Sequence, residues 1–248
     1  MSDFQFKTIM KKIFLCIILC AFISCDHQSE SENPTPRAEN HSRFHNHPAG
    51  NALNPYDFAG QIHDELFVSY FTTPCLTFSV DSVANKINAL AEKSASFHLL
   101  EGSSQPRNTA ASIGALAGHE LCGVTDAIAN SNLSTAGKNS LSTFTSTLLF
   151  LYESEADYTL IHSFITLYEE EVTSNSLLSG YDRKRILTLT SVLRYSAHRG
   201  KKKPKKNTDP DWNHLIFNLA GGLEGGERTA AESVVNALTG GIVQNHNP

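Results

Sequence analysis

Between residues 141 and 193 the large apolar side chains recur at helical spacing, with nothing comparable at the spacing of a strand. Leu141, Phe144, Leu148 and Leu151 make one stripe, Ile161, Phe164, Ile165 and Tyr168 a second, and Ile186, Leu189 and Leu193 a third. Steps of three and four residues keep such side chains on one face of a helix, where they bury against a neighbour. The pattern extends both ways. Asn54 as cap, Pro55 at the first helical position and Asp57 in the first turn mark a helix start, followed by Phe58, Ile62, Leu66 and Tyr70. Pro74 cannot continue that helix. A second helix is predicted from near Asp81, with Val83, Ile87, Leu90, Ala91 and Phe97 on one side. Residues 109–129, rich in Ala and Gly, and residues 212–219 and 229–238, separated by glycines, complete the helical reading. Period-two alternation is confined to residues 73–80. The expected fold is all-α: a single irregular helical bundle of about six to eight helices over residues 54–248. Forty per cent apolar residues suffice for its core, and the absence of a repeat of 20–50 residues argues against a solenoid.

The first 24 residues stand apart. An unbroken apolar run of eleven, residues 13–23, follows Lys7, Lys11 and Lys12. In helix it reaches only about 16 Å against a hydrocarbon core of about 30 Å, so it reads as a secretory signal peptide rather than a membrane span. Phe22-Ile23-Ser24-Cys25 at its end resembles the lipobox of bacterial lipoproteins, with Phe22 in place of the usual aliphatic residue. The resemblance implies that Cys25 becomes the acylated mature N-terminus, because its thiol takes a thioether-linked diacylglycerol and several acyl chains anchor far more firmly than one. Residues 25–53 are dominated by Ser, Glu, Asn, His and Pro, so they are expected to form a disordered, lipidated linker. His41, His45 and His47 lie in it without a second ligand cluster, and are taken as polar linker rather than metal ligands.

Motifs for chemistry fail in turn. His119-Glu120-Leu121-Cys122-Gly123 lacks the second His of a zinc-protease helix. Glu153, Glu155 and Asp157 alternate like calcium ligands, but Tyr158 replaces the turn glycine and Phe164 the last acid, so a helix N-terminus accounts for them better. Glu169, Glu170 and Glu171 read as a solvated face. The pairs Gly221-Gly222 and Gly225-Gly226 lack the strand and Lys of a phosphate cradle and point to close helix approach. No nucleophile elbow or S-x-x-K motif is present. No cofactor or metal is expected.

Two features concern partners. Arg199, Lys201, Lys202, Lys203, Lys205 and Lys206 fall within eight residues of a chain whose net charge is −5, and −7 without residues 1–24. No aromatic residues interleave to stack bases, so nucleic acid is not expected; an anionic lipid or glycan is the alternative to plain solvated surface. Cys75 and Cys122 are the two cysteines left outside the signal and anchor. A disulfide between them would close a 47-residue interval and stabilise by about 4 kcal/mol, and two separate buried thiols are the other reading.

The stretch Asn54-Pro55-Tyr56-Asp57-Phe58-Ala59-Gly60-Gln61-Ile62-His63-Asp64, after a lipobox and a polar linker, is similar to a loose group of uncharacterised secreted bacterial lipoproteins. Those chains are helical, and many end in a Gly- and Ala-rich stretch like residues 219–243 here. The resemblance implies a lipid-anchored cell-envelope protein and carries no catalytic motif. The function expected is non-enzymatic binding or scaffolding, with the membrane engaged through Cys25 and the protein partner unidentified. An envelope hydrolase with a dispersed Ser/His site and a secreted membrane-active antagonist are the alternatives. Asp26 after the Cys leaves inner and outer membrane equally open.

Overall fold

The apolar stripes do fold as helices. The computed structural model describes residues 47–72, 79–104, 121–200 and 210–246, without the side chains of 121–123, 210–214 and 245–246. All lie in the unit formed by residues 41–248. Eight α-helices and one 3-10 turn, with no strand, make up the described residues. They are α1 (Asp57–Thr72), α2 (Val80–Lys93), the 3-10 turn Phe97–Leu99, α3 (Leu121–Asn130), α4 (Thr135–Glu153), α5 (Tyr158–Ser174), α6 (Gly180–Arg199), α7 (Pro210–Gly226) and α8 (Ala230–His246).

Polar caps set several boundaries. Ser134 starts α4 by accepting from Gly137 N at 3.1 Å, and Asp157 starts α5 by accepting from Leu160 N at 2.9 Å. Ser179 and Asp182 form a capping box at α6, and Asp182 also takes the backbone N–H and hydroxyl of Ser134 at 2.8 Å each. One buried carboxylate thus ties the N-termini of α4 and α6. Burial alone would raise the Asp182 carboxyl; hydrogen bonds from Ser134 and Ser179 outweigh it and hold it below the ordinary carboxylate range.

α6 is the axis of the fold. On one side its Ile186, Leu187, Leu189 and Leu193 join the core built by α3, α4, α5 and α7. On the other its Val192 joins the core of α1, α2 and α8. Every residue of α6 from 185 to 195 is buried, whereas the sequence stripe marked only one face. Its Thr and Ser side chains make that possible, since Ser191 donates back to the carbonyl of Thr188 at 2.9 Å and Thr190 donates to Glu169 Oε1 at 2.9 Å.

α7 runs through both glycine pairs, and the break before α8 falls at residues 227–229 rather than at the glycines. The glycines let the two helices touch. A Cβ on Gly221 would stand 2.7 Å from the Asn236 carbonyl oxygen, and one on Gly225 would collide with that of Glu232. α8 is buried from Ala231 to Val243, so this part of the Gly/Ala-rich end belongs to the core.

Candidate functional site

Where residues 47–57 meet α5 and α6, three charged groups gather out of water. Arg194 of α6 is 0% exposed and Glu169 of α5 is 1% exposed. The Arg194 Nη2 bonds Asp57 Oδ1 of α1, and its Nε lies 3.2 Å from Glu169 Oε2. Three further donors serve Glu169: Asn51 Nδ2 at 2.6 Å, Asn54 Nδ2 at 2.8 Å and Thr190 Oγ1 at 2.9 Å. Tyr195 donates its hydroxyl to Asp57 Oδ2 at 3.2 Å. Burial pushes the Glu169 carboxyl up against the pull of Arg194 and those donors. Burial would also lower Arg194, but Glu169 and Asp57 outweigh it and hold the guanidinium charged.

Aromatic rings cover this network. His47 stacks on Tyr195 at 4.7 Å and meets the His198 ring edge-on at 4.9 Å. Tyr158 packs against His198 at 5.1 Å and His162 at 5.6 Å. Burial pushes the Tyr158 hydroxyl up to about 12 and raises Tyr195 too. It lowers His162 and His198, with neighbouring positive charge adding to the effect. These shifts favour the neutral forms of the tyrosines and imidazoles. None of the described histidine side chains, at 47, 63, 98, 162 and 198, is hydrogen-bonded to a serine. What the arrangement does is fasten the entering chain to the domain.

That fastening corrects the expected linker. Residues 47–51 are held against the domain, with Ala49 fully buried and Asn51 bonded to both Glu169 and Asp57, whereas Ala52 and Leu53 are exposed. Their attachment is made by amides and a ring, which composition does not register. Glu169 is a second correction: it is a buried anchor rather than solvated face, whereas Glu170 and Glu171 are exposed as expected. Helix α1 begins at Asp57, and Asn54 caps the turn before it by accepting from Tyr56 N at 2.8 Å. Glu155 takes φ 52° where α4 ends and Asp157 caps α5, which explains the acidic alternation without a cation.

Of the partner residues, Arg199 is described. It forks onto Asp64, with Nη2–Oδ2 at 2.7 Å, and lies 5.1 Å over the Phe67 ring. Its charge is thereby matched within the fold. Lys201, Lys202, Lys203, Lys205, Lys206, Cys25, Cys75, His41, His45 and His119 lie outside the described residues, as does the Cys122 side chain of α3. Among the described residues no His, Cys, Asp and Glu cluster fit to hold a metal ion occurs, and no helix is long and apolar enough to cross a membrane. No protein-family model matches the chain, and no curated protein or solved structure does so either.

Proposed function

We propose that this chain is a lipid-anchored protein of the bacterial cell envelope, tethered through Cys25, whose helical domain binds a partner rather than catalysing a reaction. The domain would stand with the C-terminal end of α6 toward the membrane. The observation that carries the anchor is the lipobox-like Phe22-Ile23-Ser24-Cys25, and the lysine run that follows α6 carries the orientation. α6 ends at Arg199, just before Lys201–Lys206 in the sequence. Each lysine of the run gains on the order of 1 kcal/mol near an anionic surface.

Two measurements test the reading. An acyl probe should label the chain, and Cys25→Ala should abolish the label; labelling that survives the substitution contradicts the anchor. The chain carrying Cys25→Ala should sediment with anionic vesicles and not with neutral ones. That attachment should fade as the Debye length shrinks from about 10 Å at 0.1 M salt to about 3 Å at 1 M. Changing Lys201, Lys202, Lys203, Lys205 and Lys206 to Gln should remove it. Equal binding with and without the lysines contradicts the polar orientation.

A further inference from the structure

At the opposite end of α6 a cavity of about 140 Å³ lies between the first turns of α6, the start of α8 and the turn at residues 101–104. Its walls include Lys184, Arg185, Arg228, Thr229 and Ser233, together with a single carboxylate, Glu101. The acids that balance two of the cations stand behind the wall. Glu227 holds Arg185 Nη2 at 2.8 Å, and Glu232 holds Arg228, yet neither lines the cavity. Among the described residues the lining thus carries three cations against one carboxylate.

The cations differ in how they are held. Arg185 has a side chain only 6% exposed, with Nη1 donating to Tyr181 at 2.8 Å and Nη2 to the Leu223 carbonyl at 3.1 Å. Its Nε is buried without an acceptor. This guanidinium is fixed before any ligand arrives, which reduces the ordering cost of binding. Lys184 pairs with Glu101, whose side chain is 59% exposed, and an exposed pair of this kind exchanges partners at little cost. Two backbone donors at the start of α8 are already used: Ala231 N bonds the Glu101 carbonyl and Glu232 N bonds Thr229 Oγ1, both at 3.1 Å. Recognition therefore rests on side-chain cations rather than on the helix terminus.

We infer that this cavity binds a small oxyanion, a phosphate or carboxylate group, which takes the place of Glu101 on Lys184 beside the fixed Arg185. Glu101 is the built-in competitor. A charged acceptor suits a fixed guanidinium and a movable ammonium together, because both interactions are charge-assisted.

The test uses the full chain in neutral detergent, titrated by calorimetry with sodium phosphate and separately with sodium acetate, ionic strength being held constant with sodium chloride. Phosphate, acetate or both should bind; phosphate alone identifies a phosphate ligand, and acetate a carboxylate. Lys184→Gln should weaken binding about tenfold, the loss of one charge-assisted contact. Glu101→Gln should strengthen it severalfold by freeing Lys184. Both side chains are at the surface, so each variant folds, and unchanged circular dichroism checks this. Lys201→Gln, outside the cavity, should bind as the parent does. Equal affinity in Lys184→Gln and Glu101→Gln, or no heat beyond that of chloride with either anion, overturns the inference.

Discussion

His63 makes this fold acid-labile by a calculable amount. It sits on α1, 3% exposed, beside Asn218 of α7. Burial lowers its pKa from 6.5 to about 4, against Asp64 and Asn218, which favour the charged form. Between those values the unfolded chain carries a proton on this imidazole that the folded chain does not. Stability therefore rises with pH across the window and falls on acidification, until both states are protonated below about pH 4. The gap corresponds to a loss of about 2 kcal/mol between pH 7 and pH 5 and about 3 kcal/mol in full. Urea unfolding followed by circular dichroism at pH 7, 6 and 5 measures it, with His63→Gln as reference. His162 and His198 shift in the same direction, and Glu169 in the opposite sense, so their contributions cancel in the difference between parent and variant. The parent should lose about 2 kcal/mol more than His63→Gln between pH 7 and 5. Equal losses in the two proteins would refute the reasoning.

Other outcomes follow from the same packing. Arg194→Met should cost about 3–5 kcal/mol in urea unfolding, because it strands Glu169 in the interior, and adding Glu169→Gln should recover much of that. Gly225→Ala should lower stability by about 1–3 kcal/mol, since the methyl meets the Glu232 carbonyl, whereas Gly180→Ala should raise it by about 0.5–1 kcal/mol in open space at the start of α6. Asp182→Ala should cost about 1–3 kcal/mol and speed amide exchange at the first turns of both α4 and α6, the two ends its carboxylate ties.

The apolar spacing made the helices legible because burial of one face is a local rule. Leu141, Phe144 and Leu148 on α4 and Ile161 and Ile165 on α5 are buried as the stripes predict. The same rule misjudged α6. Arg194 and Arg185 occupy its polar positions, and their burial depends on Asp57, Glu169 and Glu227, which are distant in sequence. Glu169 looks like its neighbours Glu170 and Glu171 in composition; only its partners Asn51, Asn54 and Thr190 distinguish it. Residues 47–51 were illegible for a related reason, since amide and ring contacts carry no hydrophobic signature. The glycine pairs of α7 were readable as close approach, because absence of a side chain is itself a local signal.

Line broadening from a gadolinium-chelate lipid tests most directly whether one pole of the domain faces the membrane. The full chain would be held in anionic nanodiscs, with backbone amides followed by NMR. α6 is 20 residues, about 30 Å, long, so its two ends lie at clearly different depths if it points toward the bilayer. Amides of residues 47–50 and 196–200 should broaden, and those of residues 179–185, beside the cationic cavity, should stay sharp. Stronger broadening at residues 179–185, or equal broadening at both ends, would contradict an orientation with the C-terminal end of α6 toward the membrane.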